Sequence, residues 1–218
     1  MTTFPNSPRL IRGGLVLIDP DSSSVRRVIA FQYNPETLTR RLQIQAGEDR
    51  GDRAEALRLS GPPVETINLD AEIDATDQLE FPEKNPAAAE LGIFPQLAAL
   101  ELIVYPRSDQ LQNNRSQAQA GQIEVAAVEG PLILFVWSRN RVVPVRLTEF
   151  SITEEAFDAT LNPIRAKVTL GMRVLTVNDL GFDHRGGNVF MAYLQRKESL
   201  ASQFRDATLS ALNLQGIP

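Results

Sequence analysis

Two long stretches of the chain alternate apolar and polar residues with a period of two, the mark of strands that have one buried and one wet face. In the first, Ile67, Leu69, Ala71 and Ile73 interleave with Asn68, Asp70, Glu72 and Asp74, so the polar side is acidic. In the second, Ile164, Ala166, Val168, Leu170, Met172 and Val174 alternate with Arg165, Lys167, Thr169, Gly171 and Arg173, so the polar side is basic. A third stretch, Thr37–Gln45, sets Leu38, Leu42 and Ile44 against Thr39, Arg41, Gln43 and Gln45. Gly14–Asp19 reads as a short apolar strand that turns at Pro20, Asp21 and three serines and returns along Arg26–Tyr33. Leu132–Trp137, a continuous apolar run after Pro131, predicts a strand covered on both faces. Ser138–Arg141 then turns the chain into a strand over Val142–Phe150.

Helical signals are fewer. Asn85-Pro86 places a capping residue before a proline in the first turn, and a second helix is expected from Pro95 to about Val104, ended by Pro106. From Asn188 onward, Phe190, Leu194, Ala201, Phe204 and Ala211 recur at roughly helical spacing, which predicts an amphipathic C-terminal helix. Ala46–Pro63 is a charged connection. Arg107–Gln122 is rich in Gln, Asn and Ser with almost no large apolar group, and reads as a mobile insertion. About seven strands joined by short connections make a mainly β, antiparallel barrel or sandwich with helical additions.

Net charge is −5 and no basic stripe stands out, so nothing draws the chain to nucleic acid or an anionic membrane. There is no cysteine, which removes disulfides, thiolate metal sites and a cysteine nucleophile together. No apolar run approaches the ~20 residues that span a bilayer. Met1–Pro8 lacks the basic-then-apolar order of a secretion signal, so export is expected only within an assembly or by lysis.

Candidate chemistry is thin. His184 is the only histidine, which argues against a zinc site, and a hydrolytic triad would have to run through it with Asp183 or a distant serine. Its polar, glycine-bounded loop reads as a surface histidine. Gly13-Gly14 and Gly186-Gly187 lack the spacing of a phosphate-binding loop. Phe135 and Trp137 share one side of a strand and read as core or an interface wall. No enzyme class gains support. The carboxylates Asp70, Glu72 and Asp74 stand about 7 Å apart along one strand face. That row is a solvated face, a divalent-cation row, or an acidic strip meeting the basic strip of Arg165, Lys167 and Arg173 on another copy.

Phe31-Gln-Tyr-Asn-Pro-Glu-Thr-Leu38 joins an alternating strand to an Asn-Pro turn and a second strand, a hairpin in local terms. It also resembles the opening signature of the tube and baseplate proteins of contractile injection systems, the phage-tail-like particles, with matches at Phe31, Tyr33, Asn34, Pro35 and Leu38. Further landmarks follow in order: Pro131–Trp137, Val143–Leu147, Ser151–Phe157 and Leu161–Ala166. The resemblance covers roughly Arg9 to Arg185 and is nearest to the baseplate component that joins the inner tube to the spike hub.

That resemblance implies a tube-type antiparallel β-barrel over residues 1–185, with a central helical segment and 107–122 as a flexible insertion. A C-terminal helical extension would occupy 186–218, where some members carry a LysM module whose pattern is not seen here. It implies a hexameric, six-fold ring in contact with the spike hub, the inner tube and other baseplate components, with no nucleic acid and no membrane insertion. The particle would assemble in the cytoplasm, and the chain would have no turnover, no metal and no cofactor. Asp70, Glu72, Asp74, Arg165, Lys167 and Arg173 would be interface residues. The alternative is a monomeric β-barrel that binds a small molecule in its lumen.

Overall fold

The computed structural model describes residues 10–19, 22–45, 59–120, 130–215 and 217. Met1–Pro8, the turn residues Pro20 and Asp21, the connection over 46–58 and the end of the expected insertion at 121–122 lie outside the described residues.

Seven strands form one antiparallel sheet: β1 (Gly14–Ile18), β2 (Val25–Ala30), β3 (Leu38–Gln43), β4 (Val64–Asp74), β5 (Leu132–Ser138), β6 (Arg141–Phe157) and β7 (Pro163–Val174). Their spatial order is β2-β1-β5-β6-β7-β4-β3. The expected hairpin of β1 with β2 forms, Gly14 opposite Ala30. The hairpin read across Asn34-Pro35 does not. β2 and β3 are consecutive in sequence yet sit at opposite edges of the sheet, so the Asn-Pro turn begins a crossover. Short connection length suggested adjacency, and the pairing partners offered by β1 and β4 decided otherwise.

The expected barrel is, in the described chain, an open sheet with β2 and β3 as its edges. Gln32 nevertheless reaches β4 from the end of β2. Its Oε1 accepts from the Asp74 backbone N–H at 3.0 Å and its Nε2 donates to the Asp74 carbonyl at 2.6 Å. Four strands separate β2 from β4 in the sheet, so this contact requires the sheet to coil on itself. Among the described residues the Gln32 side-chain amide bridges this seam, in the manner of a single ladder rung. Both free edges carry two consecutive arginines, Arg26-Arg27 and Arg40-Arg41, and charges on an edge discourage stray pairing.

The inner face of the coil is the core. Leu15, Ile67, Phe135, Val143, Val168, Leu170 and Met172 are fully buried, and all are inward positions of strands. Ile133, Leu134 and Phe135 are buried in succession, as the continuous apolar run of β5 predicts. Phe135 and Trp137 stack at 6.1 Å between ring centroids.

Helices cover the sheet. After β4 come α1 (Thr76–Leu79), α2 (Pro86–Leu91) and α3 (Phe94–Glu101), with Ile93, Leu97 and Leu100 buried against the core. Gly92 fixes the junction between α2 and α3. Its φ of 56° lies in the left-handed region, and a Cβ there would stand 2.2 Å from the Pro163 carbonyl, to which Ile93 N–H donates at 2.9 Å. Where a mobile insertion was expected, α4 spans Ser108–Gln119. It buries no residue, so no apolar stripe marked it; the Gln110 side chain accepts from the Arg107 N–H at 3.2 Å and Asp109 sits favourably in its first turn. α5 (Val177–Leu180) and α6 (Arg185–Ala201) close the chain. α6 buries Phe190 and Tyr193 and ends at Ala201, short of the Ala211 that the spacing suggested. Beyond it, residues 202–215 are exposed and contain only a 3-10 turn at Leu209–Leu212.

Candidate assembly surface

The polar faces of β4, β7 and β6 lie side by side, because β7 pairs with both neighbours. Register makes rows across the three strands: Asp70–Thr169–Ser151, Glu72–Lys167–Thr153 and Asp74–Arg165–Glu155. The acidic and basic strips are therefore neighbours in one chain, and each finds partners there. Arg165 Nε lies 2.8 Å from Asp74 Oδ2, and Lys167 Nζ lies 2.9 Å from Asp70 Oδ2. Thr169 donates to Asp70 at 2.7 Å. Two copies are not needed to match these charges. Arg173 turns away to Asp179 at 2.7 Å, at the start of α5. Glu72, Glu149 and Glu155 have no ion pair of their own among the described residues, so the face keeps a surplus of negative charge.

The titration of these groups follows the contacts. The hydrogen bond from Lys167, with that from Thr169, holds the Asp70 carboxyl below the ordinary carboxylate range. Burial pushes Asp74 up, but hydrogen bonds from Thr76 and Arg165 outweigh it and leave the group lowered. Lys167 and Arg165 are raised in turn, first by their bonds to Asp70 and Asp74. Among the described residues no group of three His, Asp or Glu side chains is placed to hold a metal ion, and the carboxylate row is engaged by cations of the protein itself.

The Phe31–Leu38 segment is built as a fastener. Phe31 is buried in the core, and Gln32 holds Asp74. Asn34 clasps the lead into β1, its Oδ1 accepting from Gly13 N–H at 2.9 Å and its Nδ2 donating to the Ile11 carbonyl at 2.8 Å. Pro35 then directs the chain toward β3, where Leu38 packs on the core, and Tyr33 faces solvent. Gln32 was not singled out in the sequence, although it stands between two motif residues.

A second node was also missed. Glu65 is 3% exposed, yet its carboxylate meets Arg40 at 2.7 Å, Tyr193 Oη at 3.3 Å and Lys197 at 3.3 Å. Arg40 also donates to Tyr193 Oη at 3.1 Å, and the Lys197 ammonium lies 4.1 Å over the Tyr193 ring. The node pins α6 to β3 and β4. The signal was present: Glu65 has the parity of Ile67 and Leu69, so alternation sends a carboxylate inward.

His184 caps α6, its Nδ1 accepting from Gly186 N–H at 3.0 Å. Gly187 serves packing. A Cβ there would fall 1.9 Å from the Gly181 carbonyl, so α5 and α6 approach only through glycine.

A family model described as contractile injection system tube protein matches residues 17–176, from within β1 to the end of β7 and the cap of α5. The chain belongs to that family. In this tube-family chain, the matched region takes in all of β2–β7 together with the motif and both charged strips, while α6 and the exposed tail lie outside it. No curated protein matches it. Among solved structures, it is similar to a chain in the tail of an empty GTA particle, computed with helical refinement and C6 symmetry. Identity is 13%, coverage is 74% of this chain and 90% of that one, and the TM-score of 0.28 leaves the likeness without weight for this chain.

Proposed function

We propose that this tube-family chain is a structural adaptor of the baseplate, one subunit of a six-fold ring that links the spike hub to the inner tube. The observation that carries the reading is the coiled sheet with two free edges, β2 and β3, fastened across its seam by one side chain. Such a sheet is complete as a core and incomplete as a ladder. Pairing or covering those edges with neighbouring copies closes the barrel in the assembly. The β4–β7–β6 face, with Asp70, Glu72, Asp74, Arg165 and Lys167 and its surplus of negative charge, turns to the lumen or a neighbour. The protein acts mechanically: sheath contraction drives it outward with tube and spike, with no turnover and no cofactor. It assembles in the cytoplasm as part of a phage-tail-like particle.

The test is a gentle pull-down of the tagged chain from its native cells, with mass spectrometry of partners and negative-stain imaging. Spike, tube and sheath partners with tail-like particles are the expected result; a lone monodisperse monomer would overturn the reading. One observation favours a second reading, a small-molecule carrier: an apolar cleft of about 270 Å³ between Phe31, Ile73 and Leu100. A monomer that binds apolar probes in that cleft would support it.

A further inference from the structure

Two further surfaces are left uncovered, one of them reaching the edge of the charged face at Glu149, and they complement one another. The first is the segment after α6. Residues 202–215 are exposed throughout, yet they carry Phe204 (74% exposed), Leu209, Leu212 (69%) and Leu214. Leu209 and Leu212 are three apart on a 3-10 turn, so their side chains stack on one side as an apolar ridge. Arg205 follows Phe204 and has no ion pair among the described residues. Apolar side chains grouped on a projecting segment mark a surface that is covered in the working state.

The second surface is an open groove of about 500 Å³ where the chain leaves α3 and crosses β6. Val104, Leu147, Phe150 and Ile152 form its apolar floor, and Glu101 and Glu149 its charged rim. A register shift between Leu147 and Glu149 bends β6 here and opens the groove, as an irregular residue in a strand does. No cation lines it.

We infer that the C-terminal segment of one copy docks in the β6 groove of a second copy, with Phe204 on the apolar floor and Arg205 between Glu101 and Glu149. An apolar anchor beside one arginine meets an apolar floor beside two carboxylates, and Asp206, next along the segment, has to stay clear of that rim, which sets the direction of the segment. Segment and groove are different patches of the molecule, so the contact is head-to-tail, the kind that closes rings. The segment lies outside the family match, so this contact is a feature of this chain's own extension. The inference rests on the proposed assembly of copies and names a surface through which they meet.

The test uses the full chain with a photo-reactive benzoylphenylalanine in place of Phe204, prepared as an equal mixture of ¹⁵N-labelled and unlabelled protein. After irradiation, mass spectrometry should show mixed-isotope cross-links from position 204 to residues 101–105 or 147–152. Cross-links of a single isotope composition, which are intramolecular, would overturn the inference, as would cross-links elsewhere or none. In sedimentation, Arg205→Glu should weaken self-association roughly tenfold or more, since a paired charge becomes a like charge. Adding Glu101→Arg and Glu149→Arg to Arg205→Glu should restore it. Unchanged association in Arg205→Glu would also overturn the inference. Trans cross-links from a protein whose pull-down yields no spike or tube would leave this contact standing and remove the baseplate reading, so the two failures are distinguishable.

Discussion

The chain solves the same problem, opposite charges on neighbouring strands, in two environments. Along β4 and β7 the ion pairs lie open to water: Lys167 and Asp70 have side chains 48% and 47% exposed. At Glu65 the carboxylate is 4% exposed and takes three partners from β3 and α6. Exposed pairs gain little over water, whereas a buried charge whose partner is removed has nowhere to turn. The ladder therefore sets surface character, and the node holds the fold.

Breaking the node gives the largest effect. Removing Arg40 by Arg40→Ala leaves the Glu65 carboxylate buried with one cation fewer, and should lower unfolding free energy by about 3 kcal/mol or more in urea titration. Replacing Glu65 and Arg40 together by Leu and Met should recover most of that loss; failure to recover would mean that the node does more than neutralise itself. Gln32→Ala removes two hydrogen bonds across the seam and leaves the Asp74 backbone partly buried, an expected loss of about 1–3 kcal/mol. Hydrogen exchange at Asp74 N–H should rise with it. Lys167→Ala on the open ladder should cost about 0.2–1 kcal/mol, and the cost should fade in 1 M salt. A large, salt-resistant loss there would erase the contrast.

The smallest effect separates the ladder by pH. Asp70 and Asp74 are lowered in the folded protein, so each stabilises it fully above the unfolded value near 3.8 and loses that contribution as pH falls through the folded value. The β6–β7 turn gives the sharpest case. Bonds from Asn162 and Thr160 draw Asp158 down to about 2, so its support is lost between about pH 4 and pH 2. Acid titration of wild type and Asp158→Ala by circular dichroism should show a stability difference at pH 5 that disappears near pH 2.

Alternation of apolar and polar positions makes much of the sheet legible. It located β4 and β7, their inward residues and their charged faces, because a period of two leaves no other reading. It could not give register between strands far apart in sequence, so it left open whether the acidic strip meets solvent, a cation or another copy, and did not show that the two strips adjoin in one chain. β2 and β3 went to opposite edges because strand pairing is decided by the whole set of strands, while the Asn-Pro turn fixes only a local bend. α4 escaped notice because a helix with no buried face carries no periodic signal. Glu65 was legible by parity and Arg40 with it, two inward charges of opposite sign on adjacent strands.

The arginine pairs on β2 and β3 bear on how the free chain behaves in solution. Exposed Arg26 and Arg41 on the two margins make a casual meeting of two sheet edges an encounter of guanidinium with guanidinium. At low salt this repulsion keeps concentrated protein dispersed; at high salt, where its reach falls to about 3 Å, the same margins become adhesive. The ionic strength of the storage buffer thus bears on how well the purified chain keeps, through edge arginines of which Arg40 is also tied into the buried node.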